Sequence, residues 1–216
     1  MNNIKHLVYV VMPCYNEEKS IRKSIDSILH QTYTNIELII IDDCSSDASG
    51  SIIKEYTDER IMYYRNEHNL GVAKSLNKGI HLANGSFIAR MDADDTSEPD
   101  RIEKEIEYLQ NHPECVVCGS YADVDDGSII SIQGNNDSPQ KYIVKGNPFV
   151  HSTVMFPKII NGKELQYSEI KGFEDYDLWI RLYHQGDFHV IPEVLVHRVD
   201  INNHDTKRLG FKSFFS

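Results

Sequence analysis

The chain has 216 residues, of which 40% are hydrophobic and 25% charged, a composition typical of globular proteins. Its net charge of −11 disfavours a nucleic-acid partner, because the phosphates would be repelled. No apolar run reaches the roughly 18 residues of a membrane span, and the N-terminus lacks a signal-peptide pattern. We therefore expect a cytoplasmic protein with no transmembrane segment.

The first part of the chain alternates strand-like and helix-like patterns four times. The predicted strands are short apolar runs covering residues 7–12, 36–41, 61–64 and 86–91. The helices that follow them are predicted to begin after Asn16 as N-cap, after a polar turn at 44–47, after Gly71 and at Pro99. Because apolar strands alternating with helices are typical of βαβ units, we predict an α/β fold with a doubly wound, mostly parallel sheet.

The second part of the chain has a mixed pattern. Its predicted elements are strands at 115–121, 149–156, 188–191 and 194–199, a helix at 174–185, and an acidic loop from 123 to 139. Cys115 and Cys118 have the spacing of a redox or zinc pair, but positions three apart on a strand face opposite sides. We interpret both cysteines as small buried hydrophobic residues.

Three carboxylates follow the fourth predicted strand, on Asp92, Asp94 and Asp95. Carboxylates this close repel one another, so a positive charge is expected beside them. Mg²⁺ and Mn²⁺ bind carboxylate oxygens together with substrate phosphates, so a metal could bridge this cluster and a nucleotide diphosphate. The alternative is a solvated acidic turn in front of the helix that starts at Pro99.

Other polar residues follow the first two predicted strands. Residues 13–17 come after the first strand, and Asp42 comes at the end of the second. Ligands of parallel α/β sheets bind beyond the carboxyl ends of the strands, so these residues and the 92–95 cluster are expected to line one crevice. Since Asp42 ends a buried strand, we expect its carboxylate to face that crevice.

Six stretches of the chain resemble the inverting family 2 glycosyltransferases, which have the GT-A fold. In family order they are 11–18, 40–43, 69–71, 90–95, 151–156 and 174–179. The resemblance implies a nucleotide-sugar donor, most often a UDP-sugar, with Mn²⁺ or Mg²⁺ as cofactor. It also implies a hydroxyl acceptor on a glycan or lipid-linked glycan, in the synthesis of surface polysaccharide, and a lipid-linked acceptor would bring the chain to the inner face of the membrane.

The resemblance assigns four residues to the nucleotide. Pro13, Tyr15 and Glu17 resemble the family's first nucleotide-binding loop. Asp42 resembles the carboxylate that accepts a hydrogen bond from a ring N–H of the base. The alternative role for Asp42 is as a partner of a helix N-terminus.

The resemblance assigns three more residues to the reaction itself. Asp92 resembles the residue near the donor ribose and sugar, Asp94 the metal ligand, and Asp175 the general base. Inverting transfer needs a base that takes the proton of the attacking hydroxyl, while a metal stabilises the diphosphate leaving group. Glu174 is the nearest competitor for the base, followed by Asp177 and His151. The alternative for Asp175 is a carboxylate in the first turn of a helix, where the helix dipole favours it.

The resemblance also predicts the domain organisation. We expect one domain over 1–205, with a nucleotide-sugar-binding half at 1–112 and an acceptor-side half at 113–205. Residues 206–216 would form a tail where many relatives continue, so a C-terminal truncation stays open. The family's Tyr-Arg-x-His pattern near the end is only partly present here, so His197 is interpreted as a strand residue, and His151 either contacts a substrate or lines the cleft.

Three alternative functions fit parts of the sequence. Asp92-x-Asp94-x-Thr96 matches the first motif of haloacid-dehalogenase phosphatases, in which Asp92 would be the nucleophile, although that motif normally lies near the N-terminus. A sugar nucleotidyltransferase would need a glycine-rich loop after the first strand, and residues 13–16 do not supply one. A non-catalytic nucleotide-sugar-binding protein would be expected if the acceptor site were incomplete.

Overall fold

Strands and helices alternate through the first part of the chain, as predicted. In the computed structural model, which describes residues 6–124, 127–130 and 139–198, four βα units come first. They are β1 (Val8–Cys14), α1 (Ile21–Leu29), β2 (Ile36–Asp42), α2 (Ser49–Lys54), β3 (Ile61–Arg65), α3 (Val72–Leu82), β4 (Phe87–Arg90), the two-residue β5 (Thr96–Ser97) and α4 (Arg101–Asn111).

The remaining elements are more irregular. They are β6 (Cys115–Val124), β7 (Ile129–Ile130), α5 (Pro139–Tyr142), a 3₁₀ helix (His151–Thr153), β8 (Met155–Pro157), β9 (Ile159–Ile160), β10 (Lys163–Glu164), α6 (Glu174–Leu182) and β11 (Asp187–Arg198). None of the helices in the described part of the chain combines the length and the apolar character that a membrane span requires.

The main sheet has a parallel half and a mixed half. Its strand order is β3-β2-β1-β4-β8-β6-β11-β5, and β7 pairs with β6. The first four strands are parallel neighbours, β8 is antiparallel to both β4 and β6, and β11 is parallel to β6. The carboxyl ends of β1, β2 and β4 therefore lie side by side, where the sequence predicts the crevice.

Helices cover both faces of the sheet, which confirms the predicted α/β architecture. Alternate residues of β1 point to opposite faces: Val10 packs with α1, α2 and α4, whereas Val11 packs with α3 and α6. Helix α3 lies so close to β1 that a Cβ atom on Gly79 would come within 2.4 Å of a Val11 methyl group. The buried strands thus fix the loops that follow them from both sides.

Two local predictions are wrong. Helix α1 begins at Ile21 with Ser20 as N-cap, and not after Asn16, whose φ is 59°. The Asn16 side-chain oxygen instead accepts the Ser46 N–H at 2.7 Å, because the loop after β1 is tied to the loop after β2. The strand predicted at 149–156 is a 3₁₀ turn followed by the short strand β8.

The C-terminal strands also differ from the prediction. The two strands predicted at 188–191 and 194–199 form one strand, β11, whose pairing with β6 shifts between Ile191 and Val194. A further shift near the start of β6 interrupts its alternation, so Cys115 and Cys118 pack in the same core layer and not on opposite faces. Both cysteines are buried, as predicted. The predicted tail at 206–216 lies outside the described residues.

Candidate active site

The loops after β1 and β2 are held together by hydrogen bonds. The Asn16 N–H donates to Ser45 Oγ at 3.0 Å, and the Glu17 N–H donates to Ser49 Oγ at 2.7 Å. Tyr15, the next residue after β1, has 48% of its surface exposed. The two loops therefore form one polar rim at the carboxyl end of the sheet, as the sequence predicts.

The remaining residues assigned to the first nucleotide-binding loop also lie on this rim. Pro13 is the penultimate residue of β1 and is partly buried. The Glu17 carboxylate accepts a hydrogen bond from Ser20 Oγ at 2.9 Å. Their positions are compatible with nucleotide binding, which stays a prediction.

The Asp42 carboxylate does not face the crevice as expected. Its side chain is fully buried and accepts hydrogen bonds from the Ser45 N–H at 2.7 Å, the Tyr63 hydroxyl at 2.7 Å and Arg65 Nη1 at 2.8 Å. Above it, a Cβ atom on Gly50 would lie 3.0 Å from the carboxylate. In this arrangement Asp42 holds the loop after β2 to strand β3.

Asp43, to which the sequence assigns no separate role, is equally well supplied with donors. It accepts hydrogen bonds from the N–H groups of Leu70 and Gly71 at 2.9 and 2.8 Å and from Asn66 Nδ2 at 2.8 Å. These bonds fix the segment that leads into α3. The acidic doublet at the end of β2 thus ties the loop after β2 and the loop after β3 to this edge of the sheet.

The acidic cluster after β4 is arranged differently. Ligand oxygens of Asp92, Asp94 and Asp95 all lie within 4.8 Å of one another. Asp92 forms an ion pair with the buried Arg90, the last residue of β4. Sequence reasoning required a cation beside the carboxylates but overlooked Arg90, whose signal was an arginine at the end of a buried apolar strand.

Asp95 connects the cluster to the second part of the chain. Its carboxylate is 1% exposed and accepts a hydrogen bond from the Ser152 hydroxyl in the 3₁₀ helix. Arg198 Nε, at the end of β11, lies 3.7 Å from the same carboxylate. The acidic loop is therefore fixed from both halves of the sheet.

Burial and mutual repulsion disfavour the ionised form of two carboxylates in the acidic cluster. Burial, followed by the charge of Asp92, raises the pKa of Asp94, and burial with the charges of Asp92 and Asp94 raises the pKa of Asp95 to about 7. Hard oxygen donors at this spacing suit Mg²⁺ or Mn²⁺, and a bound cation would favour the ionised carboxylates. The residues present thus fit a divalent metal site.

Asp175 lies in the first turn of α6, in the second part of the chain. Its carboxylate accepts a hydrogen bond from Asn147 Nδ2 at 2.6 Å. Burial raises the pKa of Asp175, while Arg90 acts in the opposite direction. Asp177 is occupied by an ion pair with Arg181 at 2.8 Å, which makes it a weaker candidate for the base.

Tyr167 and His151 lie between the acidic cluster and α6. Burial raises the pKa of Tyr167 strongly, and the charges of both Asp175 and Asp92 add to this effect. His151 Nε2 lies 2.9 Å from the Tyr167 hydroxyl. Burial, with the charges of Arg90 and Arg198, lowers the pKa of His151 well below 6.5, so this side chain is neutral at pH 7. No sequence signal pointed to Tyr167, because it lies in a loop.

His197 is a strand residue, as predicted, but it is not isolated. Its two ring nitrogens lie 2.8 Å from Asp123 Oδ1 and 2.6 Å from Glu98 Oε1. A carboxylate accepts hydrogen bonds, so both ring nitrogens act as donors here. This geometry fits the protonated imidazole. His197 therefore links β11, β6 and the segment after β5.

Comparison with known proteins identifies the family of the chain. The family model for "Glycosyl transferase family 2" matches residues 9–165. The chain is 36% identical over 195 residues to "Putative glycosyltransferase EpsE" of Bacillus subtilis, covering 83% of this chain and 67% of EpsE. It is 37% identical over 136 residues to the Escherichia coli "UDP-Glc:alpha-D-GlcNAc-diphosphoundecaprenol beta-1,3-glucosyltransferase WfgD", covering 63% of this chain and 53% of WfgD.

Solved structures share the fold. TarS of S. aureus in complex with UDP-GlcNAc matches with a TM-score of 0.74 at 18% identity, covering 92% of this chain and 60% of that chain. Mannosyltransferase PcManGT from Pyrobaculum calidifontis, in complex with GDP-Man and Mn²⁺, matches with a TM-score of 0.72 at 18% identity, covering 92% of this chain and 57% of that chain. The predicted GT-A fold is confirmed, and the chain spans little more than half the length of these two neighbours.

Proposed function

The chain belongs to glycosyl transferase family 2, and from that membership we propose that it transfers a sugar from a UDP-sugar donor to a hydroxyl of a glycan acceptor, with inversion. The observation that carries the proposal is the group of three carboxylates within 4.8 Å beside the loops after β1 and β2. The family match leaves no support for the phosphatase and nucleotidyltransferase alternatives.

We assign the metal to the acidic cluster. Asp94 would hold Mn²⁺ or Mg²⁺, with oxygens of Asp92 and Asp95 within reach of the same ion. When bound, the metal would stabilise the charge that develops on the diphosphate leaving group. Arg90 forms an ion pair with Asp92 from the protein side. We propose that Asp92 lies near the donor sugar, the role that the resemblance gives it.

We assign the general base to Asp175. Its carboxylate would accept the proton of the acceptor hydroxyl as that oxygen attacks the anomeric carbon. A pKa raised by burial improves a carboxylate as a base, because proton acceptance becomes more favourable as the pKa approaches the working pH. Asn147 holds one carboxylate oxygen and so orients the group toward the crevice.

Uridine is the proposed base of the donor. TarS was solved with UDP and with UDP-GlcNAc, and the name of WfgD gives UDP-Glc as its donor. PcManGT was solved with GDP-Man, so the fold itself accepts another base. Pro13, Tyr15 and Glu17 on the rim, with Asp42 beneath it, are the residues proposed to form the nucleotide site.

The proposed acceptor is a lipid-linked glycan of surface polysaccharide synthesis. WfgD acts on GlcNAc-diphosphoundecaprenol according to its name, and an "O-antigen biosynthesis glycosyltransferase WbnJ" of E. coli is 37% identical over 190 residues. An acceptor of this kind would place the chain at the inner face of the membrane.

A nucleotide panel tests the proposal. Calorimetric titration of UDP, GDP, CDP and ADP, each with and without Mn²⁺, should show binding that favours UDP and depends on the metal. Transfer is then measured by UDP release from UDP-glucose, UDP-galactose and UDP-GlcNAc with a lipid-diphosphate-linked GlcNAc acceptor. Equal UDP affinity with and without metal would overturn the metal assignment, and metal-dependent binding without transfer to any acceptor would favour a binding protein.

A further inference from the structure

A buried arginine closes the base of the acidic loop. The Arg101 side chain in α4 is fully buried, and its guanidinium contacts both ends of the segment that carries the three carboxylates. Arg101 Nη2 donates to the Arg90 carbonyl oxygen at 2.8 Å, at the end of β4. Arg101 Nη1 donates to Ser97 Oγ at 3.0 Å, in β5. One side chain therefore spans the entry and the exit of the loop.

Glu105 holds the guanidinium in this position. Its Oε1 accepts from Arg101 Nε at 3.0 Å, one helical turn further along α4, and both side chains are fully buried. Arg101 Nη1 also lies 3.3 Å from Met91 Sδ inside the loop. Burial raises the pKa of Glu105 to about 7, although Arg101 beside it acts in the opposite direction.

Stability alone does not explain such a pair. Replacing a buried ion pair by apolar side chains of similar volume is often neutral or stabilising, because the desolvation cost is large. Glu105 Oε2 is also buried without a hydrogen-bond partner among the described residues. A pair that is costly and incompletely satisfied is better explained by the geometry that it imposes.

That geometry concerns carboxylates that repel one another. The cluster is compact, with ligand oxygens of all three carboxylates within 4.8 Å of one another, and like charges this close repel. An acidic loop free at its base would relax by spreading these side chains. Arg101 contacts the entry and the exit of this loop and is therefore placed to limit such spreading.

We propose that Arg101, held by Glu105, is a positioning residue that sets the spacing of the Asp92, Asp94 and Asp95 carboxylates and thereby the affinity of the site for its divalent metal. This role rests on the proposed function of the acidic cluster. Arg101 acts through the backbone and touches neither metal nor substrate.

Two substitutions test this role. Arg101→Lys keeps the charge but cannot reach both ends of the loop, and Arg101→Met removes every polar contact. The readout is the Mn²⁺ concentration needed for half-maximal UDP binding by calorimetry, together with direct Mn²⁺ binding by electron paramagnetic resonance without nucleotide. Both variants should need about 10–100-fold more Mn²⁺, the usual effect of losing a group that orients metal ligands. UDP affinity at saturating Mn²⁺ should stay close to that of the wild type.

Matched variants separate positioning from mere destabilisation. Ile106→Ala removes a buried side chain of the same helix that the structure assigns to the core. It should lower the unfolding temperature without changing the Mn²⁺ requirement. Ser97→Ala removes only the contact at β5 and should give a smaller change in the Mn²⁺ requirement, in the same direction, which keeps the test usable if Arg101→Met does not fold.

The possible outcomes separate the positioning role of Arg101 from the proposed metal site. An unchanged Mn²⁺ requirement in Arg101→Lys and Ser97→Ala, or an equal change in Ile106→Ala, would overturn the positioning role while leaving the metal site in place. A wild-type chain that binds no Mn²⁺ by either measurement would overturn the metal site and this role with it.

Discussion

Two acidic groups follow neighbouring strands on either side of β1, and the protein treats them in opposite ways. Asp42 and Asp43, after β2, accept hydrogen bonds from backbone N–H groups, a tyrosine, an asparagine and an arginine. The cluster of Asp92, Asp94 and Asp95, after β4, has raised pKa values at two of its three carboxylates.

The difference shows how acidic motifs can be sorted by their surroundings. Carboxylates that are surrounded by protein donors are used to hold loops, since further ligands would have to displace those donors. Carboxylates that repel one another need a nearby positive charge, and here the protein supplies only part of it. On this ground we propose the cluster after β4, and not the doublet at the end of β2, as the metal site.

The largest expected effect comes from removing a ligand of the proposed metal. Asp94→Asn keeps the size of the side chain but removes the charge, so we expect the metal dependence of UDP binding and the transferase activity to be lost. Calorimetric titration of UDP with and without Mn²⁺ measures this directly. The matching variant after β2, Asp42→Asn, should keep the metal dependence; if it loses it as well, the distinction between the two acidic groups is wrong.

The second-largest expected effect separates UDP binding from the transfer step. Asp175→Asn removes proton acceptance with little change in shape, so we expect the turnover rate to fall by about 10²–10⁴-fold, the usual cost of losing a general base. UDP affinity should hardly change, because the nucleotide loops and Asp94 are intact. Turnover at saturating donor and a UDP titration provide the two readouts.

The neighbours of Asp175 serve as its controls. Glu174→Gln and Asp177→Asn change carboxylates in the same turn of α6, and Asp177 is already paired with Arg181. Both should be milder than Asp175→Asn. Normal sugar transfer by Asp175→Asn would move the base to another residue, with His151 and Asp177 the first to examine.

The parallel half of the fold could be predicted from the sequence because its signals are local. Apolar runs such as those of β1 and β2 are buried on both faces, and each helix carries its own periodicity. The mixed half depends on pairing between distant segments. Strand β8 pairs with β4 on one side and with β6 on the other, and no pattern within 149–156 encodes that.

The candidate site also combines features with a local sequence signal and features that depend on distant segments. The order of motifs singled out the acidic cluster and Asp175 as candidates, since both lie in continuous stretches of sequence. The Asp42 carboxylate was misplaced because the donors that bury it, Tyr63 and Arg65, come from the next strand. Arg101 was missed because its contacts with β4 and β5 exist only after the chain has folded.

A smaller effect on stability tests the doublet after β2. Asp42→Ala leaves the Ser45 N–H and the Tyr63 hydroxyl without their acceptor, so we expect a loss of about 1–3 kcal/mol in the free energy of unfolding. Urea denaturation measures the change, and Tyr63→Phe, which removes a single hydrogen bond, should cost about 0.5–1.5 kcal/mol. If Asp42→Ala instead weakens UDP binding with unchanged stability, Asp42 reads the base and its donors are displaced by the nucleotide.

The smallest effect concerns His197, which links β11, β6 and the segment after β5. Burial alone would lower the pKa of His197, but hydrogen bonds to Glu98 and Asp123 outweigh it and raise the pKa above 6.5. The protonated form is thus favoured in the folded state. Its stabilisation is fully present below the unfolded pKa of about 6.5 and is lost as the pH rises through the folded value.

The His197 side chain is 40% exposed, so solvent screening keeps this contribution below about 1 kcal/mol. Urea denaturation of the wild type and His197→Gln between about pH 5 and 9 should show a stability difference that is largest at the acidic end and shrinks toward pH 9. Added salt should reduce that difference, because exposed ion pairs are screened. A difference that stays constant across the pH range would mean that His197 contributes by packing between β11 and β6, and that its two carboxylate partners add no net electrostatic stabilisation.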